Sequence, residues 1–339
     1  MAEITEYIKP LLQGQSLTFE QASSLLDRVF DGEVPEAQIA AFLTAMQIKG
    51  PVAAELAGLA KSLRTHAVPV KLEIENLVDT CGTGGSAFKT FNISTAAAIV
   101  AAGAGVHVAK HGNRGITSKC GSADVLEELG VKIDASPQTV AECIRQARIG
   151  FMFAPMFHPA MKFVQPIRKS LGFRTVFNIL GPLANPAGVR RQVLGVADEK
   201  LMPLVAGALK LLGAEYAMVV HAGGMDEIST ITPTKILELQ GSRIVTKDLD
   251  ARDLGISRTN VKALQVPDAK SSARLVRSIV SGEDTGPCRD IVVLNAAAAI
   301  ITGGLAKDFA AGIELAKNAI ARGAASESLR KLIEVSNKT

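Results

Sequence analysis

The sequence predicts an α/β protein with a small all-helical domain and a large α/β domain, whose central, mostly parallel sheet is flanked by helices. Three observations lead to this fold class. The first 65 residues show only helical periodicity, whereas short apolar runs alternate with helical segments from about residue 77 onward. Several of those runs are followed directly by glycine-rich or polar stretches, as is common where the strands of α/β sheets end.

The N-terminal region is predicted to be helical because its apolar residues recur at helical spacing. One such stripe, at i, i+3, i+4 and i+7, consists of Ile39, Phe42, Leu43 and Met46. Pro35 occupies a position where a first helical turn tolerates proline. The pair Gly50 and Pro51 then separates this helix from a second one, predicted over Ala53–Thr65.

Residues 66–76 lack this periodicity and are predicted to form an extended linker. We place the domain boundary there. The helical domain is expected to cover residues 1–70 and to be completed by helical segments around residues 160–190. The α/β domain is expected to cover residues 71–339.

Seven short apolar runs are predicted to be strands: 77–80, 106–109, 151–154, 192–196, Tyr216–His221, 235–239 and 243–246. The segments between and after them are predicted to be helices: 95–104, 123–129, Pro137–Ala147, 201–212, 295–302 and 308–321. Strands that alternate with helices form mostly parallel sheets with helices on both faces.

The composition excludes several classes of protein. The chain has 339 residues, 47% hydrophobic and 21% charged, as in soluble globular proteins. A net charge of +4, the absence of tryptophan and 4% aromatic residues argue against a nucleic-acid partner. The longest apolar stretches are shorter than a membrane span, and the N-terminus lacks a signal-peptide pattern. The four cysteines lack zinc spacing. We therefore expect a cytoplasmic protein with no membrane partner.

The first candidate ligand site is the stretch "VDTCGTGGSAFKTFNIST", residues 78–95. Glycines after a strand let backbone N–H groups approach a phosphate, and the following helix N-terminus favours anions. The spacing matches neither the dinucleotide-binding nor the Walker pattern. The alternative is a plain strand–helix turn in which Ser94 or Thr95 caps the helix.

The second candidate is "AKHGNRGITSKCGSADVLEELG", residues 109–130. Lys110, His111, Arg114 and Lys119 fall within ten residues and alternate with glycines and hydroxyl groups. Cations on a flexible, glycine-punctuated loop suit a ligand with several phosphate charges. The alternative is a solvated basic loop.

The third candidate is the adjacent pair Asp226 and Glu227 in "VVHAGGMDEISTITPT", residues 219–234. Adjacent carboxylates can bind Mg²⁺, which keeps several waters and leans on substrate phosphates. Alone, such a pair is more often a solvated surface feature. Beside two candidate phosphate loops it suggests transfer that involves a pyrophosphate or phosphoribosyl group.

The fourth candidate is Arg168, within residues 157–188, a stretch that also holds the rigid turn "GPLANP". An arginine here could bind a carboxylate through two hydrogen bonds. A lone arginine is more often structural, and the same holds for His158 nearby.

Taken together, these segments resemble the anthranilate phosphoribosyltransferase family of tryptophan biosynthesis. The matching pieces are "GTGG" with "NIST", "KHGNR" with "SKCGSADVLEELG", "HPAMK" with "PIRKSLGFRTVFNILGPLANPAG", and "GMDEIST". They occur in the family's order and span most of residues 78–234. The helical N-terminus and the total length fit as well.

The resemblance implies a helical and an α/β domain with the active site at the hinge between them, and a homodimer formed through the helical domain. It implies transfer of the phosphoribosyl group from phosphoribosyl pyrophosphate to the amine of anthranilate, with Mg²⁺ as cofactor. The product would be N-(5-phosphoribosyl)anthranilate, with release of pyrophosphate.

The family's ligand contacts carry over by motif position. Those to phosphoribosyl pyrophosphate fall on Gly82, Gly85, Ser86, Thr90, Asn92, Ser94, Thr95, Lys110, His111, Gly112, Asn113, Arg114, Gly115, Ile116, Thr117, Ser118 and Ser122. Those to anthranilate fall on Gly82, Asn113 and Arg168, with His111 nearby. Those to magnesium fall on Ser94, Asp226 and Glu227.

For the chemistry, we expect Lys110, Asp226 and Glu227 to stabilise transition-state charge, and we assign no general base. One position departs from the family: its glycine loop commonly ends in aspartate, where this chain has Ser86, and Lys89 adds a positive charge nearby. We expect an altered metal dependence rather than a loss of activity.

Two other functions remain open from the sequence. A pyrimidine nucleoside phosphorylase would share the fold and related basic motifs, but would not need the carboxylate pair or "GPLANP". A non-catalytic, nucleic-acid-binding paralogue should be more basic than this chain and could lose both carboxylates.

Overall fold

The computed structural model describes residues 3–115 and 120–338. Its N-terminal part consists of four helices: α1 (Thr5–Leu12), α2 (Phe19–Phe30), α3 (Glu36–Lys49) and α4 (Ala53–Thr65). Thr18 begins α2 with a capping box, since its hydroxyl accepts from the amide of Gln21, whose side chain accepts from the Thr18 amide. Helices α2 and α4 pack closely because Gly58 has no side chain: a Cβ built there would lie 2.2 Å from the Phe19 carbonyl oxygen.

The rest of the chain is built on one seven-stranded sheet. Its strands are β1 (Val78–Gly82), β2 (Val108–Gly112), β3 (Ile149–Phe153), β4 (Arg191–Gly195), β5 (Tyr216–His221), β6 (Thr234–Gln240) and β7 (Arg243–Leu249). Their order in the sheet is β3-β2-β1-β4-β5-β6-β7. The pairs among β1 to β5 are parallel, whereas β6 and β7 are antiparallel. The predicted fold class is therefore confirmed.

Every predicted strand overlaps an observed one; Tyr216–His221 has the predicted ends, and the ends of the others differ by up to three residues. The largest difference is β2, which was predicted over 106–109 and runs from Val108 to Gly112. The apolar run ends at residue 109, but the pairing with β3 continues through Lys110 and His111. Pairing depends on the backbone, so a strand can extend past its apolar residues when the polar side chains find partners.

Eleven helices are described after β1: α5 (Ile93–Gly103), α6 (Ser122–Glu128), α7 (Pro137–Ala147), α8 (Ala154–Phe157), α9 (Gln165–Leu171), α10 (Phe177–Leu180), α11 (Met202–Leu211), α12 (Ala269–Ser281), α13 (Pro287–Thr302), α14 (Phe309–Ala321) and α15 (Ala324–Ser336). Helix α13 is longer than predicted, because it also includes a polar first turn and the buried apolar residues 291–294. Helices α12 and α15 were not predicted.

The two faces of the sheet pack into different cores, as the side-chain alternation of strands requires. Val193 and Val220 join the core formed with α5 and α12–α15. Leu194 and Val219 join the core that contains α1–α4 and α9–α11. The N-terminal helices thus share a continuous apolar core with one face of the sheet. Among the described residues, no helix is both long enough and apolar enough to cross a bilayer.

Candidate active site

Four parallel strands end at one edge of the sheet and bring their following segments together. β1 and β4 are neighbours, with Gly82 paired to Gly195, and β2 and β5 lie on their outer sides. Because parallel strands have their carboxyl ends at the same edge, the segments after these four strands converge there.

The glycine loop (residues 82–86), which begins with the last residue of β1, contacts the carboxylate turn (residues 222–227), which follows β5. The amide nitrogen of Gly84 donates a hydrogen bond to Oδ2 of Asp226, 3.1 Å away. A Cβ built on Gly82 would lie 2.4 Å from the same oxygen, and one on Gly195 would lie 1.5 Å from the Asp226 carbonyl oxygen. Both glycines are therefore needed for this close approach.

Lys110 is held in β2, so the expectation that it sits on a flexible loop is wrong. Its side chain is buried, and Nζ donates to the carbonyl oxygen of Thr80 and lies 3.4 Å from the hydroxyl oxygens of Thr80 and Ser94. Burial lowers the pKa of Lys110, and the nearby Asp79 and Glu227 oppose that shift. The amine of Lys110 is therefore fixed beside the end of β1 and the start of α5.

Asp79, in β1, is a fully buried carboxyl group close to Lys110. It accepts hydrogen bonds from the amide of His111 at 3.3 Å, from Asn185 Nδ2 at 2.8 Å and from Gln192 Nε2 at 3.3 Å. Burial raises the pKa of Asp79, while the charge of Lys110 and these donors act in the opposite direction. Asn185 belongs to the "GPLANP" turn, so this network ties that turn to the strands that carry the site.

Asp226 and Glu227 are half-buried neighbours whose charged forms are disfavoured. Burial raises the pKa of Glu227 to about 8, with a further contribution from the adjacent Asp226, although the Ser94 amide and Lys110 oppose the shift. Burial likewise raises the pKa of Asp226.

A divalent cation would relieve the repulsion between the carboxylates of Asp226 and Glu227. Within residues 3–115 and 120–338, no third His, Cys, Asp or Glu side chain clusters with this pair. Mg²⁺ commonly uses one or two carboxylates and fills its shell with waters and phosphates, which fits this donor set.

The basic loop after β2 is tied to α6 where the structure describes it. Arg114 is exposed, and its guanidinium pairs with Asp124 at 3.0 Å and Glu127 at 2.7 Å. The amide of Gly115 donates to Asp124 as well. The charge of Arg114 is therefore balanced by α6. The predicted contacts Ile116, Thr117 and Ser118, like Lys119, lie outside the described residues.

Ser122, the first residue of α6, packs against the start of this loop. Its hydroxyl donates to the carbonyl oxygen of Asn113 at 3.3 Å. A Cβ built on Gly112 would lie 2.1 Å from that hydroxyl oxygen. Position 112 therefore requires glycine, because α6 packs too closely for a side chain to fit.

The polar cluster at the start of α5 does not cap the helix in the way the simpler alternative predicted. Helix α5 begins at Ile93, so Ser94 and Thr95 lie in its first turn, and the N-cap residue Asn92 makes no capping bond. Instead, Asn92 Oδ1 accepts from the hydroxyl of Ser272 at 2.7 Å. The buried Thr95 hydroxyl has no hydrogen-bond partner among the described residues. None of these three side chains therefore caps α5.

Two further predicted contacts, Thr90 and Ser86, lie in the segment between β1 and α5. Thr90 forms an isolated antiparallel bridge with Gln265. The Ser86 hydroxyl donates to the carbonyl oxygen of Gly224 at 3.2 Å, so it docks the glycine loop on the carboxylate turn. This contact needs a hydrogen-bond donor at position 86, and an ionised aspartate could only accept.

Arg168 lies in the last turn of α9. Its Nη1 donates to Gln165 Oε1 at 3.2 Å, and its guanidinium carbon lies 5.4 Å from the centre of the Phe177 ring. The side chain is half-buried, and burial lowers the pKa of the guanidinium. No carboxylate pairs with Arg168 among the described residues, so its charge is available to a ligand.

His111 and His158 form a buried pair of imidazoles, with 3.2 Å between their Nε2 atoms. Burial is the main cause that lowers the pKa of His111 to about 3 and that of His158 to about 4. Both rings are therefore neutral at pH 7, with one Nε2 donating and the other accepting.

Comparison with known proteins agrees with this geometry. Residues 74–326 match a family profile described as "Glycosyl transferase family, a/b domain", and residues 5–67 match its "helical bundle domain". The chain is 50% identical over 335 residues to the anthranilate phosphoribosyltransferase of Chloroflexus aggregans, and the aligned region covers 98% of each chain. It is 48% identical to that of Thermomicrobium roseum, over 98% of this chain and 97% of the relative. The chain belongs to the anthranilate phosphoribosyltransferase family.

Solved structures of anthranilate phosphoribosyltransferases share the whole fold. The crystal structure from Thermus thermophilus has a TM-score of 0.92 and 38% identity, over 97% of this chain and 98% of the other. A structure from Saccharomyces cerevisiae in complex with PRPP and Mg has a TM-score of 0.90 and 29% identity, over 99% and 98%. This chain is thus a member of a glycosyltransferase family.

Several residues at the site of this anthranilate phosphoribosyltransferase family member were not predicted from the sequence. Gly195 and His221 shape the carboxylate turn, and Asp79 accepts hydrogen bonds from the amide of His111 and from Asn185. Arg174 lies against the glycine loop, since a Cβ built on Gly85 would be 2.6 Å from its Nη1. Only Asp79 left a signal, as a charged residue inside an apolar strand run.

Proposed function

We propose that this chain transfers the 5-phosphoribosyl group of phosphoribosyl pyrophosphate to the amine of anthranilate. The products are N-(5-phosphoribosyl)anthranilate and pyrophosphate, a step of tryptophan biosynthesis. The observation that carries the proposal is the hydrogen bond between the Gly84 amide and Asp226, which joins a phosphate-type glycine loop to a carboxylate pair. Family membership supports this function and neither of the two alternatives.

The proposed phosphoribosyl pyrophosphate site is the edge where β1, β2, β4 and β5 end. Its contacts are Gly82, Gly85, Ser86, Thr90, Asn92, Ser94, Thr95, Lys110, His111, Gly112, Asn113, Arg114, Gly115, Ile116, Thr117, Ser118 and Ser122. The convergence of these strand ends and the unpartnered, buried hydroxyl of Thr95 support this assignment.

We propose that Ser94, Asp226 and Glu227 hold Mg²⁺. Support comes from the raised pKa of both carboxyl groups and from the position of Ser94, whose backbone acts on Glu227 to oppose that rise in pKa. When bound, the ion neutralises charge on the leaving pyrophosphate. Because Ser86 supplies no carboxylate, we expect a metal dependence that differs from relatives with aspartate there.

The chain's own residues act mainly by electrostatics. Departure of pyrophosphate builds negative charge on the leaving group, and we propose that Lys110 and the glycine-loop amides stabilise that charge. The buried setting strengthens these interactions, since the local dielectric constant is low. The amine of anthranilate is largely unprotonated near neutrality, so the attack requires no general base, and we assign none.

Anthranilate is proposed to bind through its carboxylate to Arg168, with Gly82, Asn113 and the neutral imidazole of His111 close to its ring. The half-buried guanidinium of Arg168, which no described carboxylate neutralises, supports this role. Orientation of the amine toward the ribose carbon would supply the proximity contribution to the rate.

We further propose a cytoplasmic homodimer that forms through the helical domain. Leu12 of α1 is 69% exposed and Ile48 of α3 is 82% exposed, so this domain presents apolar side chains to solvent. The helical domain is proposed to comprise residues 1–70, completed by helices around residues 160–190, with residues 71–339 as the α/β domain. The core that α9 and α10 share with α1–α4 supports their inclusion in the helical domain, although one face of the sheet joins the same core.

The test is a fluorescence assay with purified protein. Anthranilate fluorescence should fall after addition of phosphoribosyl pyrophosphate and Mg²⁺, and should stay constant when either is omitted. Anthranilate that is left unconsumed under all conditions would refute the proposed function. Incubation with thymidine and phosphate serves as the control for nucleoside phosphorolysis, which should not occur.

A further inference from the structure

His221, the last residue of β5, is buried and has a backbone partner for each ring nitrogen. Its Nδ1 lies 2.9 Å from the carbonyl oxygen of Val196, and its Nε2 lies 3.3 Å from the amide nitrogen of Gly224. A carbonyl oxygen can only accept and an amide can only donate. Nε2 therefore accepts from Gly224, and Nδ1 carries the proton that is donated to Val196.

Gly224 extends this connection to the glycine loop. Its carbonyl oxygen accepts from the hydroxyl of Ser86 and from the amide of Ala87, each at 3.2 Å. Ala222 and Met225 close the turn around it with two hydrogen bonds of 3.1 Å. A continuous set of hydrogen bonds thus runs from the end of β4, through His221 and Gly224, to the loop after β1.

The position of this turn matters because Asp226 and Glu227 follow it directly. Gly223 and Gly224 have φ values of +56° and +97°, so the turn uses backbone conformations that few side chains adopt. A turn of this kind depends on its hydrogen bonds for a single geometry. His221 supplies a side-chain acceptor for the backbone amide of Gly224.

We infer that His221 is a positioning residue for the pyrophosphate and cation end of the active site. It does not contact the reacting atoms. It holds the carboxylate turn against β4 and, through Gly224, holds the glycine loop against the carboxylate turn. The inference rests on the proposed function, because it assigns His221 to the phosphoribosyl pyrophosphate site and not to the anthranilate site.

Two conservative substitutions separate the two bonds of His221. In His221→Gln, the amide oxygen reaches the place of Nε2 and can accept from Gly224, whereas the bond to Val196 is lost. In His221→Asn, the amide nitrogen occupies the place of Nδ1 and can donate to Val196, whereas the bond to Gly224 is lost. His107→Gln is the matched control, since His107 precedes β2 at the opposite edge of the sheet.

The experiment is calorimetric titration of each variant with phosphoribosyl pyrophosphate at saturating Mg²⁺, followed by KM measurements for anthranilate. His221→Asn should weaken phosphoribosyl pyrophosphate binding by about five- to tenfold, the effect of about one hydrogen bond. The KM for anthranilate should change by less than about twofold. His221→Gln should bind within about threefold of the parent chain, and His107→Gln should match the parent.

Equal binding by His221→Asn and the parent chain would overturn the inference, and so would equal losses in the Asn and Gln variants. Nitrogen NMR of the parent chain gives a readout that no variant's folding affects, since an Nε2-protonated His221 would also overturn the inference. The titration needs no anthranilate. A parent chain that binds phosphoribosyl pyrophosphate without consuming anthranilate therefore refutes the proposed function alone, and one that does not bind it overturns the inference.

Discussion

Replacement of Gly195 by alanine should impair catalysis more than any other single added methyl group at the strand ends. The new Cβ would lie 1.5 Å from the carbonyl oxygen of Asp226 and 2.3 Å from its carbonyl carbon. Contacts of a Cβ below 3.0 Å are essentially never seen, so the backbone of Asp226 must retreat by about 1.5 Å. Gly195 has no positive φ, so this collision is the only strain that the change introduces.

The size of the effect follows from that displacement. A misplacement of about 1 Å in a group that positions substrate costs roughly 100-fold in rate. We therefore expect kcat/KM to fall by about 100-fold or more, which corresponds to about 3 kcal/mol of transition-state stabilisation. Gly82→Ala should cost less, about tenfold, because its Cβ meets the Asp226 carboxylate oxygen, and a side chain moves more easily than a backbone.

The assay is the loss of anthranilate fluorescence at varied Mg²⁺, with circular dichroism to verify that each variant is folded. Gly286→Ala is the control, since its nearest neighbour would be Asp284 Oδ1 at 3.7 Å, an ordinary contact. Its kcat/KM should equal that of the parent chain. A folded Gly195→Ala variant with kcat/KM within about threefold of the parent, or one more active than Gly82→Ala, would refute the reasoning.

Four other outcomes follow from the site. Arg168→Ala should raise the KM for anthranilate by about tenfold or more through loss of a charged hydrogen bond; steady-state kinetics with both KM values unchanged would contradict its role. Joint replacement of Asp226 and Glu227 by alanine should raise the half-saturating Mg²⁺ concentration by at least about tenfold, and an unchanged titration curve would eliminate this metal site. Because the pKa of Glu227 is about 8, Mg²⁺ binding at pH 7 should release close to one proton, which calorimetry in two buffers measures. Burial holds the pKa of His111 near 3 and that of His158 near 4, below the unfolded value of 6.5. The unfolded chain therefore binds more protons below pH 6.5. The urea midpoint of unfolding should fall as the pH is lowered from 6.5 toward 4, and should fall less steeply in a variant in which both histidines are replaced by glutamine.

Hydrophobic periodicity predicted most of the secondary structure, because it depends on residues a few positions apart. The strand Tyr216–His221 and the helix Pro137–Ala147 have the predicted ends. At β2 the prediction stopped at the last apolar residue, yet Lys110 and His111 stay in the strand. The side chain of Lys110 finds its partner on β1 and the ring of His111 finds His158 after α8. No local pattern contains that information.

The candidate site was predicted where motifs carry it and missed where spatial neighbours decide it. Asp226 and Glu227 were recognisable as an adjacent carboxylate pair beside phosphate-type loops. Gly195 and His221 were not recognisable. Each is required by a residue that is distant in the sequence and adjacent only in the folded chain. Gly195 is required by the backbone of Asp226, and His221 by the carbonyl oxygen of Val196, 25 residues earlier in the chain.

Local sequence determined which segments are helices and strands, which loops carry glycines and charges, and which residues can meet a phosphate or a cation. It could not determine that β1 lies between β2 and β4, with β5 next to β4. That order brings the Gly84 amide to the carboxylate of Asp226, 142 residues later in the chain. Helical and strand propensities act over a few residues, whereas this contact depends on how the whole sheet assembles and on which side chains its cores can bury.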